Sequence, residues 1–236
     1  MADSFEHGSP TIIDGEGNVW VWVGEDADPR QVAEVLTRGA VRYNGQSCTS
    51  VNGAIIHPAI YSALRERLIE SWKAQPSGDP TARDVHIGPL QDSAQCEWCQ
   101  KRIRECEGQI WCGGEIEGNL LQPALVENPS PDSELVTSGL FGPALWIRAG
   151  TAEDFIGLWS RNRFELCAAI LSPSATSSWW LRHLPRAARV VFNGDPSVEH
   201  IFEPWGGYPA SSANTVSVWA EKYQRVVAVD APSDAA

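Results

Sequence analysis

The chain has 236 residues, enough for one large α/β domain or two small ones, and its 43% hydrophobic and 20% charged residues describe a globular protein with a core of its own. No run approaches the roughly 18 consecutive apolar residues of a membrane span, and a net charge of −12 repels phosphate backbones, so membranes and nucleic acid are poor partners. Met1–His7 carries neither a basic nor an apolar stretch, which predicts a cytoplasmic protein whose six cysteines stay reduced.

Residues 1–10 and 231–236 read as flexible ends around a single domain spanning 11–230. Val19–Val23 is apolar on both faces, as a strand covered on both sides would be, and Asp28-Pro29 then caps a helix running to about Asn44. Ala54–His57 is a second strand. Pro58 opens a helix whose Ile60, Leu64, Leu68 and Trp72 recur every four residues, until Ser77-Gly-Asp-Pro80 stops it. A third helix is predicted over Ser93–Glu107, then strands at Gln109–Cys112, Leu120–Val126 and Pro143–Ile147. Thr151-Ala-Glu-Asp154 has a near capping-box pattern ahead of a helix to Asn162. A strand at Leu166–Leu171, a helix at Ala175–Leu184 and a strand at Arg189–Phe192 follow. Such alternation predicts a three-layer α/β/α fold around a mainly parallel sheet, with Arg225–Val229 as a late edge or oligomerisation strand.

Cys48 stands apart from the other cysteines because it follows Asn44-Gly-Gln in a polar loop, where free amide N–H groups would favour a thiolate and a neighbouring oxyanion. Cys96, Cys99, Cys106 and Cys112 have a loosely zinc-like spacing. The first three nevertheless share one helix face with Ile103, which is how core residues are placed, so no metal is expected. Trp20 and Trp22 read as core, Trp159, Trp179 and Trp180 as core or covered interface, and the basic runs Lys101–Arg104 and Arg182–Arg189 as solvated helix faces. The sequence gives no reason for 11 tryptophans beside one methionine.

Asn44-Gly-Gln-Ser-Cys48-Thr, Gly78-Asp-Pro80, Ile87-Gly-Pro-Leu90, Gly113-Gly114, Gln122-Pro123, Phe141-Gly-Pro143, Val191-Phe-Asn193 and Pro204-Trp-Gly-Gly-Tyr208 together resemble, in order and spacing, the aldehyde dehydrogenase superfamily over residues 12–229. The resemblance implies that Cys48 is the nucleophile that forms a thioacyl intermediate. It places Asp14, 34 residues earlier, where the family has its general-base glutamate, with an arm one methylene shorter. The family's dinucleotide-binding domain and its oxyanion-hole asparagine lie before this region, and too few residues precede Asp14 for a βαβ unit, so no cofactor is expected. Gly139 falls where the family's glutamate holds the nicotinamide ribose.

His200 is a second candidate base, oriented by Glu199 or Asp195, because the corresponding family loop faces the cysteine. Asn44 and the Cys48 N–H would form the oxyanion site, while Glu199, Phe202 and Trp205 would line the substrate pocket. Three functions follow. The first is NAD-independent transfer or hydrolysis of an acyl group, carried on Cys48 and drawn from a small-molecule acyl or aldehyde substrate, free or carrier-bound. The second is the catalytic part of a split NAD(P)-dependent dehydrogenase with a separate cofactor-domain protein. The third is a non-catalytic interaction subunit, and a homodimer is expected from the family.

Overall fold

The computed structural model describes residues 15–176 and 178–199 and the backbone of the strand pair 204–205 and 217–218. Its centre is a seven-stranded sheet built from β1 (Val19–Val23), β2 (Val51–Ile56), β3 (Gln109–Cys112), β6 (Ala124–Glu127), β7 (Ala144–Ala149), β8 (Cys167–Leu171) and β9 (Arg189–Phe192). The strand order is β3-β6-β7-β2-β1-β8-β9, parallel throughout except for β3, which runs antiparallel to β6 at one edge. Two short hairpins stand apart from it, β4 (Ile116–Glu117) with β5 (Leu120–Leu121), and β10 (Pro204–Trp205) with β11 (Ser217–Val218).

Because the central strands are apolar on both sides, helices must cover both faces. Val19, Val21 and Val23 of β1 pack on one side against Leu36 of α1 (Pro29–Val41) and Leu64, Leu68 and Trp72 of α2 (Pro58–Lys73). Trp20 and Trp22 pack on the other side, against α3 (Ser93–Glu105), α4 (Glu134–Ser138), α5 (Ala152–Trp159) and α6 (Ser178–Arg182). That second layer holds six of the 11 tryptophans. Trp20 meets Trp146 and Trp159 edge to face at 5.2 and 5.5 Å, and Trp22 meets Trp180 at 5.0 Å. The bulk of Trp146 is admitted by Gly53 on the neighbouring strand, where a Cβ would lie 1.9 Å from the indole ring.

The expected caps form as read. Asp28 accepts from the Arg30 N–H at 2.9 Å, and Thr151 and Asp154 exchange side-chain-to-backbone hydrogen bonds in a complete capping box. Several boundaries differ. The first helix stops at Val41 and passes into a tight turn, Arg42–Gly45, because Tyr43, Asn44 and Gly45 all take left-handed conformations. Strand β2 begins at Val51, three residues early, because Asn52 and Gly53 hide its apolar pattern. The single strand expected over Leu120–Val126 is divided at Pro123, which has no N–H to give a ladder. Its first half pairs back on β4, and only the second joins the main sheet. The helix expected over Ala175–Leu184 is a 3₁₀ turn at Pro173–Thr176 followed by α6. Helix α4, five residues long, is too short to show a period and went unread. Arg225–Val229 lies outside the described residues.

Candidate active site

Cys48 comes just before β2, so it lies at the amino-terminal end of the parallel strands. Ligand crevices of open parallel sheets usually form at the opposite end. A site here depends on the loops that enter the strands, and those loops are tied together through backbone. Asn44 anchors the Cys48 turn: its side-chain oxygen accepts from the Gly88 N–H at 2.9 Å, and its amide donates to the Pro89 carbonyl at 3.2 Å. Farther along, Gln46 N–H bonds the Tyr43 carbonyl at 3.0 Å and Ser50 N–H the Ser47 carbonyl at 3.1 Å. Cys48 is left half-buried in the loop between them.

Glycines let neighbouring segments close on this turn. At Gly45, with φ +68°, an added Cβ would stand 2.2 Å from the Gly142 carbonyl oxygen, so the turn lies directly on the Phe141-Gly142-Pro143 segment. A Cβ on Gly17 would fall 1.8 Å from the Cys48 carbonyl oxygen. Gly17 is therefore the position at which the segment after Asp14 touches the nucleophile loop. Helix α3 supports the arrangement from below. Its Gln95 amide donates to the Phe141 carbonyl at 2.9 Å, and its Cys99 thiol to the Leu140 carbonyl at 3.2 Å.

The cysteines of α3 are core groups, as their spacing implied. Cys96, Cys99 and Cys106 are fully buried, and each thiol is turned to a different carbonyl, of Asn119, Leu140 and Ile103. Burial pushes Cys99 up to about 12 and raises Cys96, Cys106 and Cys112 as well, so these thiols stay protonated near neutrality. Among the described residues no three His, Cys, Asp or Glu side chains are grouped to hold a metal. Glu127, a buried carboxylate, ends β6 and so lies at the far end of the sheet from Cys48. Burial raises its pKa, but hydrogen bonds from Tyr61, Trp111 and Arg65 outweigh burial and leave it lowered. Its task is to fasten α2 to the sheet edge.

Of the remaining expected site residues, Asp14, His200 and Phe202 lie outside the described residues, and Trp205 is described only as backbone of β10. Glu199 is exposed at the end of a loop that begins at Asp195. Asp195 is already engaged: one oxygen accepts from Arg38 at 3.0 Å and the other from Ser197, by its N–H at 2.9 Å and its hydroxyl at 2.6 Å. Arg189 braces the same loop by donating to the Pro196 and Val198 carbonyls. Lys101, Arg104, Arg182 and Arg186 are exposed, as expected of the basic runs; Arg102 is the exception in the first of them. Arg102 is mostly buried, with its guanidinium 3.4 Å above the Trp98 ring and 2.8 Å from Glu134, because its long stem can cover apolar surface.

Gly139 decides whether a ribose could be held where the resemblance places that contact. Its φ is +72°, and an added Cβ would lie 2.8 Å from the Asn52 amide nitrogen and 3.1 Å from the Gly17 carbonyl oxygen. A side chain there would need the Asn52 amide to shift and would sit on left-handed backbone, so this chain offers no carboxylate at the position where the resemblance places the ribose contact.

Two site residues escaped the sequence reading. Asn52, four residues after Cys48, is 7% exposed, and its amide nitrogen lies 2.8 Å from where a Gly139 Cβ would stand. A lone amide inside the apolar run Val51–Ile56 was the available signal. Arg42 opens the Cys48 turn and was hidden by being read as ordinary helix.

Comparison with known proteins gives the family and the fold. Residues 1–229 match the aldehyde dehydrogenase family. Curated relatives include vanillin dehydrogenase of Corynebacterium glutamicum, 28% identical over 78% of this chain and 37% of its own length. Another is α-ketoglutaric semialdehyde dehydrogenase of Bacillus subtilis, 26% identical over 83% of this chain and 42% of its own. Among solved structures, lactaldehyde dehydrogenase of Escherichia coli superposes with a TM-score of 0.84 at 20% identity, covering 92% of this chain and 47% of that one. The chain thus spans about two fifths of the length of the curated relatives it matches. No helix among the described residues is long and apolar enough to cross a membrane. From its matched residues and its fold, this chain belongs to the aldehyde dehydrogenase family.

Proposed function

We propose that Cys48 carries an acyl group as a thioester and transfers it to water, an amine or a thiol without a redox step. The Cys48 sulfur attacks the carbonyl carbon of an activated acyl donor, and the donor's leaving group departs with the proton that the thiol gives up. Attack by the acceptor then breaks the Cys48 thioester, releases the acid, amide or new thioester, and returns the thiol. Asp14 or His200 serves as base and the Cys48 N–H steadies the oxyanion; the Asn44 amide, expected beside it, is instead given to the Pro89 carbonyl, so Asn44 contributes by fixing the turn. Glu199, Phe202 and Trp205 line the pocket, and the donor is a small acyl compound, free or carrier-bound. The protein acts in the cytoplasm as a homodimer.

The observation that carries this reading is the contrast between two places in one site. The nucleophile turn is assembled by this chain's own residues, while Gly139 supplies no ribose-holding carboxylate. Incubation with S-acetyl-N-acetylcysteamine, followed by intact mass, tests it. One acetyl group should be gained by the parent protein and none by Cys48→Ala; absence of an adduct across pH 6–9 removes the reading.

The alternative is the catalytic part of a split NAD(P)-dependent dehydrogenase, drawn from the family match. On that reading, NAD(P)H forms from an aldehyde only after a separate cofactor-domain protein is added.

A further inference from the structure

We infer that a cavity at the carboxyl end of the sheet, where β1 and β8 lie side by side, binds a small primary ammonium ion with a short apolar body. Cys48 lies at the other end of the strands, so this is a second site, independent of the acyl-transfer reading. The topology opens a crevice here. Strands β1 and β8 are parallel neighbours, yet β1 continues through α1 to β2 on one side, and β8 continues through α6 to β9 on the other. Helix α1 packs on the Val19, Val21 and Val23 face, whereas Trp180 of α6 packs on the Trp20 and Trp22 face. The two chain paths therefore part above the strand ends, which is the position at which open parallel sheets take ligands.

The cavity there is about 310 Å³, the size of a small-molecule site. Val32 and Val35 of α1, with Leu171 and Pro173 at the end of β8, give it apolar walls, and Asp28 and Asn193 stand among its polar groups. Those polar groups are fixed by the fold itself. Asn193 Oδ1 accepts from the Ser172 N–H at 2.7 Å, which turns its amide nitrogen to the ligand's side. Asp28 Oδ1 accepts from the Arg30 N–H at 2.9 Å as the cap of α1, which leaves Oδ2 for a ligand.

Charge selects among ligands that would fit. Of the described residues lining the cavity, Asp28 is the charged one, and no Lys, Arg or His stands with it. Asp26, in the same loop, adds a second negative charge behind the wall while it fastens the loop to β8: it accepts from the Ser172 hydroxyl at 2.5 Å and the Ser174 N–H at 2.8 Å. An anion would be repelled, and a strongly hydrated polyol would lose water to apolar walls. An alkylammonium ion satisfies both features, its chain against the valines and its N–H donors at the Asp28 carboxylate.

Thermal unfolding of the full chain with n-butylammonium chloride tests the site, with ammonium chloride and n-butanol as references at matched ionic strength. Butylammonium should raise the unfolding temperature saturably, by about 3–6 °C at ten times its Kd. Ammonium has the charge without the chain and butanol the chain without the charge, so neither should match it. Asp28→Asn removes the charge and keeps the helix cap, because Asn caps as well as Asp, and Val35→Phe fills the cavity with the charge in place. Both variants should lose the response and Cys48→Ala should keep it. No saturable rise, an equal rise with either reference compound, an undiminished rise in either cavity variant, or loss of the rise in Cys48→Ala overturns the inference.

Discussion

Replacing Gly45 by alanine perturbs the nucleophile turn without touching any reacting group. At φ +68° an L-residue costs about 1–2 kcal/mol. The new methyl would also begin 2.2 Å from the Gly142 oxygen. Carbon–oxygen contacts settle near about 3.3 Å, so backbone on one side or the other must retreat by about 1 Å. Both partners are main chain, and overpacking of this kind adds about 1–3 kcal/mol. The sum, about 2–5 kcal/mol, corresponds to a fall in unfolding temperature of about 4–20 °C for a chain of this size. A displacement of about 1 Å at a positioned nucleophile also predicts roughly hundredfold slower acylation of Cys48. Differential scanning fluorimetry measures the first effect and time-resolved intact mass the second. Gly157→Ala is the control: that glycine is exposed within α5 with nothing within 4 Å of an added methyl, so alanine should stabilise by about 0.5–1 kcal/mol. A Gly45→Ala protein that unfolds and acylates like the parent would refute the account of the turn.

Three further outcomes follow from the packing and charges. Gly53→Ala and Trp146→Ala should each destabilise, the second by about 3–5 kcal/mol, but the double variant should cost less than their sum by about 1–3 kcal/mol, because the alanine methyl then occupies space the indole has left. Additive urea-unfolding energies would show that the two residues are not packed together. Glu127 is ionised in the fold with a lowered pKa, so its contribution is complete above the ordinary value of 4.5 and disappears as pH falls through the lowered folded value. Glu127→Gln should therefore be less stable at pH 7 and should flatten the acid limb of the stability curve; an unchanged limb counts against the network with Tyr61, Arg65 and Trp111. Iodoacetamide at pH 7.5 should modify Cys48 before Cys96, Cys99 and Cys106, as peptide mapping would show, since those three are buried with raised pKa values. Equal labelling of the four would contradict the burial.

Much of the frame is legible in residue order because its causes are local. The doubly apolar run Val19–Val23 can only be a covered strand, Asp28-Pro29 caps a helix wherever it occurs, and the spacing of Cys96, Cys99 and Cys106 fixes their common face. The prominence of Cys48 is local too, since a polar loop with Asn44 and Gly45 surrounds it. What sequence alone could not settle is how segments far apart in the chain share space. Gly45 against Gly142, Gly17 against the Cys48 carbonyl and Gly53 beneath Trp146 are approaches between distant backbones or side chains, and no period or motif encodes the missing atoms that permit them. The same holds for charge. Arg38 and Arg42 look alike in a helical run, and only the folded chain brings Asp195 to one of them and leaves the other over the Tyr43 ring. Local propensity determined the elements; close packing and the pairing of charges across long sequence separations decided the site.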